Sequence, residues 1–203
     1  MTVRLAAAMN IMYQGRAEAI DTVKKSLGQN LEPNERKILE HILATGLAYS
    51  DKDEDFKLVR RFLIPSNEEL KENWQLPTGI AFAMGISQHP KALEYLQEAK
   101  GRIAPITEQA IEYAMQWQRN KNKQPYVSKT TDSDEEKIFT AIKNACLLDK
   151  ESERDINKNG VIFNSDKCKA LTAISIGNLG FYILSKKQDD KWTVVGLWYV
   201  WIS

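Results

Sequence analysis

Asp51, Asp53 and Asp55 alternate along the chain, the spacing at which side-chain oxygens of a helix-bounded loop begin a calcium site. Such a loop also turns on a glycine at its sixth position and closes the coordination sphere with a bidentate glutamate at its twelfth. Those positions hold Phe56 and Phe62, so the ligand set is incomplete and no calcium is expected. The aspartates read instead as a turn between two helices, one capping the second helix and the others favoured by the positive end of its dipole. His41 and His89 are the only histidines, one on a helix face and one in a turn, and both are expected to be solvated or satisfied locally. Cys146 and Cys168 stand 22 apart, outside any metal-like spacing, and read as reduced thiols, one buried and one on a strand. No metal, nucleotide or nucleophile signature emerges, so no cofactor and no metal are expected and the reading leans away from an enzyme.

Two weaker constellations remain. Lys57, Arg60 and Arg61 lie beside Lys24 and Lys25 at matching ends of two helices and could meet phosphate. A net charge of +1 opposes that, because phosphate contacts dominate nucleic-acid affinity. Asp155, Cys168, Tyr182 and Trp198 are conceivable linings of a small-molecule pocket in the C-terminal part, but no convergent polar groups can be placed among them.

The elements that would position these residues repeat. Shifting the chain by 36 superimposes Ala8, Ile11, Tyr13, Ile20 and Val23 on Ala44, Leu47, Tyr49, Phe56 and Val59. A further shift of 37 carries these onto Ala81, Met84, Ile86, Leu93 and Leu96. Each copy reads as an apolar helix, a short polar turn (Gln14–Arg16, Ser50–Asp53, Gln88–Pro90) and an amphipathic helix with apolar residues three and four apart. On these residues the segment 1–118 resembles the HEAT family of helical repeats, which implies antiparallel helix pairs stacked into a short solenoid that presents a surface to a partner. Its first helix, Val3 to Tyr13, is apolar enough to need a cover from the rest of the chain or from a partner. Gly28 is expected to close a helix in left-handed conformation, Pro33 and Pro105 to open helices, and Pro77 to break or kink one before it resumes at Thr78–Ser87. Gly101 closes the Lys91–Lys100 helix in the same reading.

Residues 119–132 are polar, carry Pro125 and read as a linker, with Arg119, Lys121 and Lys123 solvated. From 133 to 203 the pattern becomes that of a small α+β domain. Ser133 with Glu136 has capping-box spacing ahead of a helical stripe to Leu148. A charged loop over Asp149–Asn159 then precedes runs of β type at Val161–Phe163, Cys168–Ile176, Gly180–Lys186 and Trp192–Ile202. Gly177-Asn178 and Gln188-Asp189-Asp190 connect the last three as hairpins, which gives an antiparallel meander. The segment Leu171 to Ser203, with Lys191-Trp192 after a charged turn and a valine-rich final strand, also resembles the closing strands of NTF2-like folds. No site residues follow from that resemblance.

The last strand is apolar on both sides, with Val194, Gly196, Trp198, Val200 and Ile202 alternating with Val195, Leu197, Tyr199 and Trp201. One helix covers one side only, so Trp198 is expected on the Ser133–Leu148 helix and Trp201 on the helical array or a second subunit. The fold class expected is therefore α+β, a helix-pair array followed by a meander sheet. The function expected is a protein-interaction module, with Lys57, Arg60, Arg61, Trp198, Tyr199 and Trp201 as binding residues. A partner protein or self-association fits best, nucleic acid is not expected, and a small molecule is left open. The longest apolar runs fall short of a bilayer span, and no secretory signal is recognised, which points to the cytoplasm.

Overall fold

The computed structural model describes residues 17–50, 52–66, 75–103, 105–120, 127, 129, 131–146, 156–176 and 179–201, with the backbone alone at 17–19, 41, 75, 106, 146, 156–159, 176, 179, 198, 200 and 201. The class is α+β, with the helices first. Among the described residues the helices are α1 (Ala17–Leu27), α2 (Pro33–Leu47), α3 (Asp53–Leu63), α4 (Gln75–Ile86), α5 (Ala92–Ala99), α6 (Pro105–Asn120) and α7 (Asp134–Cys146). The strands β1 (Ile156–Phe163), β2 (Lys169–Ile176), β3 (Leu179–Gln188) and β4 (Lys191–Trp201) pair antiparallel in that order. None of the described helices is long and apolar enough to cross a membrane.

Local chemistry accounts for most helix ends. Pro33 occupies the first turn of α2, where its missing N–H costs nothing. Asp53, Glu54 and Asp55 crowd the first turn of α3 and Arg60 and Arg61 the last, both favourable to its dipole. Ser133 and Glu136 form the reciprocal capping box: the Ser133 N–H donates to the Glu136 carboxylate at 2.7 Å and the Glu136 N–H to Ser133 Oγ at 3.3 Å. Gly101 closes α5 at φ +77°, its N–H held by the Glu108 carboxylate. Gly28 behaves otherwise, since it is not among the glycines with positive φ. The N–H groups of Gly28 and Gln29 instead close tight turns on the carbonyls of Lys25 and Ser26, which satisfies the end of α1 without a left-handed residue. Pro77 does not interrupt its helix either, because α4 begins at Gln75 and places Pro77 in a first turn that needs no N–H donor.

Helix α4 is the centre of the molecule. Every described side chain from Leu76 to Ser87 is buried, and the helix touches α2, α3, α5, α6, α7 and β4. An all-round apolar sequence is what such a position demands. Gly85 allows α6 to approach: a Cβ there would stand 2.7 Å from Trp117 Cε3 and 2.9 Å from Ala114 Cα. The carbonyls at the end of α4 are taken by Gln118, whose Nε2 donates to Met84, Gly85 and Ser87 at 2.7, 3.1 and 2.8 Å. The second helices of successive pairs are tied by ion pairs. Lys24 of α1 reaches Asp55 of α3 at 3.0 Å, and Arg60, which follows Lys24 by 36, makes a two-pronged pair with Glu98 of α5.

The sheet closes on this core through aromatic contacts. Phe82 of α4 meets Phe181 edge-on at 4.9 Å and Tyr199 at 5.3 Å, and Trp117 of α6 meets Phe181 at 6.3 Å. Helices and sheet thus share one apolar core. Strand β1 runs five residues further back than Val161, because the polar stretch Ile156–Asn159 pairs by backbone with Lys158 opposite Ile174 and Ile156 opposite Ile176. Asp189 and Asp190, at φ 48° and 60°, make the two-residue hairpin turn between β3 and β4. The Gly177-Asn178 connection, the Gln14–Arg16 turn and the Val3–Tyr13 helix lie outside the described residues.

Candidate interaction surface

Two departures from simple alternation decide what the sheet presents. In β4 the pairing jumps from Leu184↔Gly196 to Ser185↔Val194, so Val195 is an extra, bulged residue. Val194 and Leu197 therefore share a face instead of opposing one another, because the added residue resets the period of two. The second departure concerns coverage. Phe181, Ile183, Ser185 and Lys187 occupy one face of β3; Phe181 meets α4 and α6, while Lys187 bonds Asp134 at the start of α7. Helix α7 and the helical array thus lie on the same face, where the sequence had placed them on opposite ones. The single bulge puts Trp192 and Tyr199 on that one face, so α7 docks at the Trp192 end and α4 at the Tyr199 end.

The α7 docking point is an ion cluster. Asp134 accepts from the Trp192 indole at 3.1 Å and from Lys187 Nζ at 3.0 Å, and Asp190 takes Lys187 and Lys137, each at 3.1 Å. The Trp192 hydrogen bond, then Lys187, holds the Asp134 carboxyl below its ordinary range, and Asp190 is lowered by Lys187 and Lys137.

The opposite face carries Ile162, Leu171, Ala173, Tyr182 and Leu184, which follow from the register Ile162↔Leu171↔Leu184 and Ala173↔Tyr182. No described helix lies on it. Ile162 is 70% exposed and Tyr182 39%, Leu171 and Ala173 are half-buried, and Leu184 is buried. Ile162 and Tyr182 thus stand out from an apolar face on which Leu171, Ala173 and Leu184 are recessed.

The residues singled out in the sequence scatter. Lys57 and Arg61 are exposed on α3. Arg60 is committed to Glu98 and lies 5.8 Å above the Tyr95 ring, so it is a structural pair and no open phosphate contact. Tyr199 is buried against Phe82 and Phe181, and burial raises its hydroxyl pKa, which makes it a core residue. Trp198 pairs in register with Tyr182 and Trp201 with Leu179; their side chains, and with them the expected packing on α7 and on the array, lie outside the described residues. Asp155 and the His41 side chain lie outside them too. Cys168 is a free thiol in the turn before β2, its N–H bound to Asp166, instead of a strand residue.

The alternating aspartates diverge. Asp53 pairs with Lys91 at 2.7 Å and Asp55 with Lys24 and Ser50. The hydrogen bond and charge of Lys91 keep the Asp53 carboxyl low; burial works to raise Asp55, but Lys24 and Ser50 outweigh it. His89 is buried and stacked on Phe56 at 3.8 Å, with Nδ1 accepting the Lys91 N–H. Its Nε2 lies 3.1 Å from Asp53 Oδ1, an ion-pair distance without hydrogen-bond alignment. Among the described residues no three His, Cys, Asp or Glu side chains converge as a metal would require.

Sequence reasoning missed Ile162 and Tyr182 as partners on one surface. Only the strand register, which no local signal in β1 announces, brings them together. No family model, no curated protein and no solved structure matches the chain.

Proposed function

We propose that this chain is a non-enzymatic protein-interaction module: a HEAT-like stack of helix pairs that buttresses one face of a meander sheet and leaves the other for a partner. The observation that carries this reading is the apolar patch around Ile162 and Tyr182, on a sheet face that bears no described helix. Antiparallel sheets with one wet face normally alternate apolar with polar residues, and contiguous apolar exposure marks a contact surface. The matched positions Lys24 and Arg60, each of which ties its helix to the next second helix, support the repeat. Cytoplasmic residence belongs to the same proposal.

Native mass measurement of the protein isolated at its natural level from the cells that make it tests the reading. A stoichiometric complex with another protein chain is expected. A lone monomer under conditions that preserve known complexes would overturn it.

A further inference from the structure

The two edges of the sheet are finished in different ways. β4 ends it on one side, and there the Tyr49 hydroxyl occupies both backbone groups of Leu197. β1 ends it on the other side, and no described strand lies beyond it. An open edge is a row of unpaired N–H and C=O groups on which another chain can add a strand, and proteins blunt it with charged side chains, proline or bulges. β1 has no proline and carries a single charge, Lys158. Its second half, Val161-Ile162-Phe163, is β-branched and aromatic, with Ile162 70% exposed, a composition that favours pairing.

One residue interrupts this strand. Lys158 stands opposite Ile174 and Gly160 opposite Ala173, so Asn159 is extra and bulges out of the ladder. Gly160 has φ +133°, a conformation open to glycine and strained for other residues, and it is exposed, with no atom within 4 Å of where a Cβ would stand. The backbone requires the glycine there; packing does not. A bulge bends its strand, raises the local twist and breaks the run of pairing groups, so a straight incoming strand can match only the short piece on one side of it.

We propose that the Asn159-Gly160 bulge guards the sheet edge: it keeps β1 from accepting the β1 strand of a second copy of this chain. The proposal rests on strand register and stands apart from the interaction-module reading.

The test deletes Asn159 from the full chain. Ile174 and Ala173 are adjacent on β2, so the deletion leaves Lys158 and Gly160 in their present register, and the variant is expected to fold with the thermal midpoint of the parent. Sedimentation should show it self-associating at about tenfold lower concentration than the parent, the effect of about two added backbone hydrogen bonds. The outward-facing amides of Val161–Phe163 should gain exchange protection as it does so. Adding Ile162→Lys should restore the behaviour of the parent, since it sets a charge on the edge strand of each copy. Adding Tyr182→Ala should not, because Tyr182 shares the face of Ile162 but lies two strands in from the edge. A deletion variant that associates no more readily than the parent overturns the proposal, as does one that loses the fold, because the ladder must close without Asn159. Association that Tyr182→Ala abolishes overturns it too, since the contact would then be the sheet face and not its edge.

Discussion

Replacing Tyr49 by Phe removes one oxygen and reads out how the sheet edge is sealed. β4 is the last strand of the sheet, and the Tyr49 hydroxyl, just beyond α2, serves both backbone groups of Leu197: it donates to the carbonyl at 2.7 Å and accepts from the N–H at 2.6 Å. The phenyl ring can still pack, and the loss falls on the hydroxyl, which carries these two bonds. Each is worth about 1 kcal/mol net, and an orphaned backbone group costs about 1–3 kcal/mol when water cannot replace the partner. The site is part-buried, so partial rehydration brings the expected total to about 2 kcal/mol. In a chain of this length that lowers the midpoint of thermal unfolding by roughly 4–8 °C. Chemical denaturation should show a lower midpoint at unchanged slope. Amide exchange adds a local readout: Leu197 should lose protection in Tyr49→Phe while Ile183, paired with it on β3, keeps its own. Tyr182→Phe is the control, since that hydroxyl is on the exposed face and its loss should stay within about 0.5 kcal/mol. If Tyr49→Phe matches the control in stability and leaves Leu197 exchange unaltered, the edge is sealed by something else and the reasoning is wrong.

Gly85→Ala forces a Cβ against Trp117 and the Ala114 backbone; urea unfolding should show a loss of about 1–3 kcal/mol, and a neutral result would mean α4 and α6 separate freely. Gln118→Ala takes the side-chain donor from the carbonyls of Gly85 and Ser87 and leaves that of Met84 with the Ser87 N–H alone; a loss of about 1–3 kcal/mol is expected by the same measurement, with Gln118→Glu at least as harmful because it places a negative charge on those carbonyls. Asp134 has its folded pKa below the ordinary 3.8, so its stabilisation is present above that value and is lost as pH falls through the lower folded one. Asp134→Asn should therefore be less stable than the parent at neutral pH, and the difference should vanish in acid; a gap that persists at the lowest pH would show the Trp192 contact, not charge, to be responsible.

What the sequence determined is what neighbours in the chain decide among themselves. Pro33 and Pro105 open helices, Ser133 with Glu136 caps one, Gly101 closes one and Asp189-Asp190 turns a hairpin, because each acts through bonds only a few residues long. The apolar run of α4 was legible as a helix in the same way. The tertiary structure decided what depends on distant partners. Ile156–Asn159 is too polar to read as a strand and becomes one because β2 offers its backbone. The bulge at Val195 arises from pairing with β3, and with it the faces of β4 are reassigned. Arg60 looked like a phosphate ligand and Tyr199 like a surface anchor until Glu98 and Phe82 were found against them. The candidate surface belongs to this second kind: Ile162 is unremarkable in the chain, Tyr182 stood out only as a conceivable pocket lining, and only the register across three strands makes them one patch.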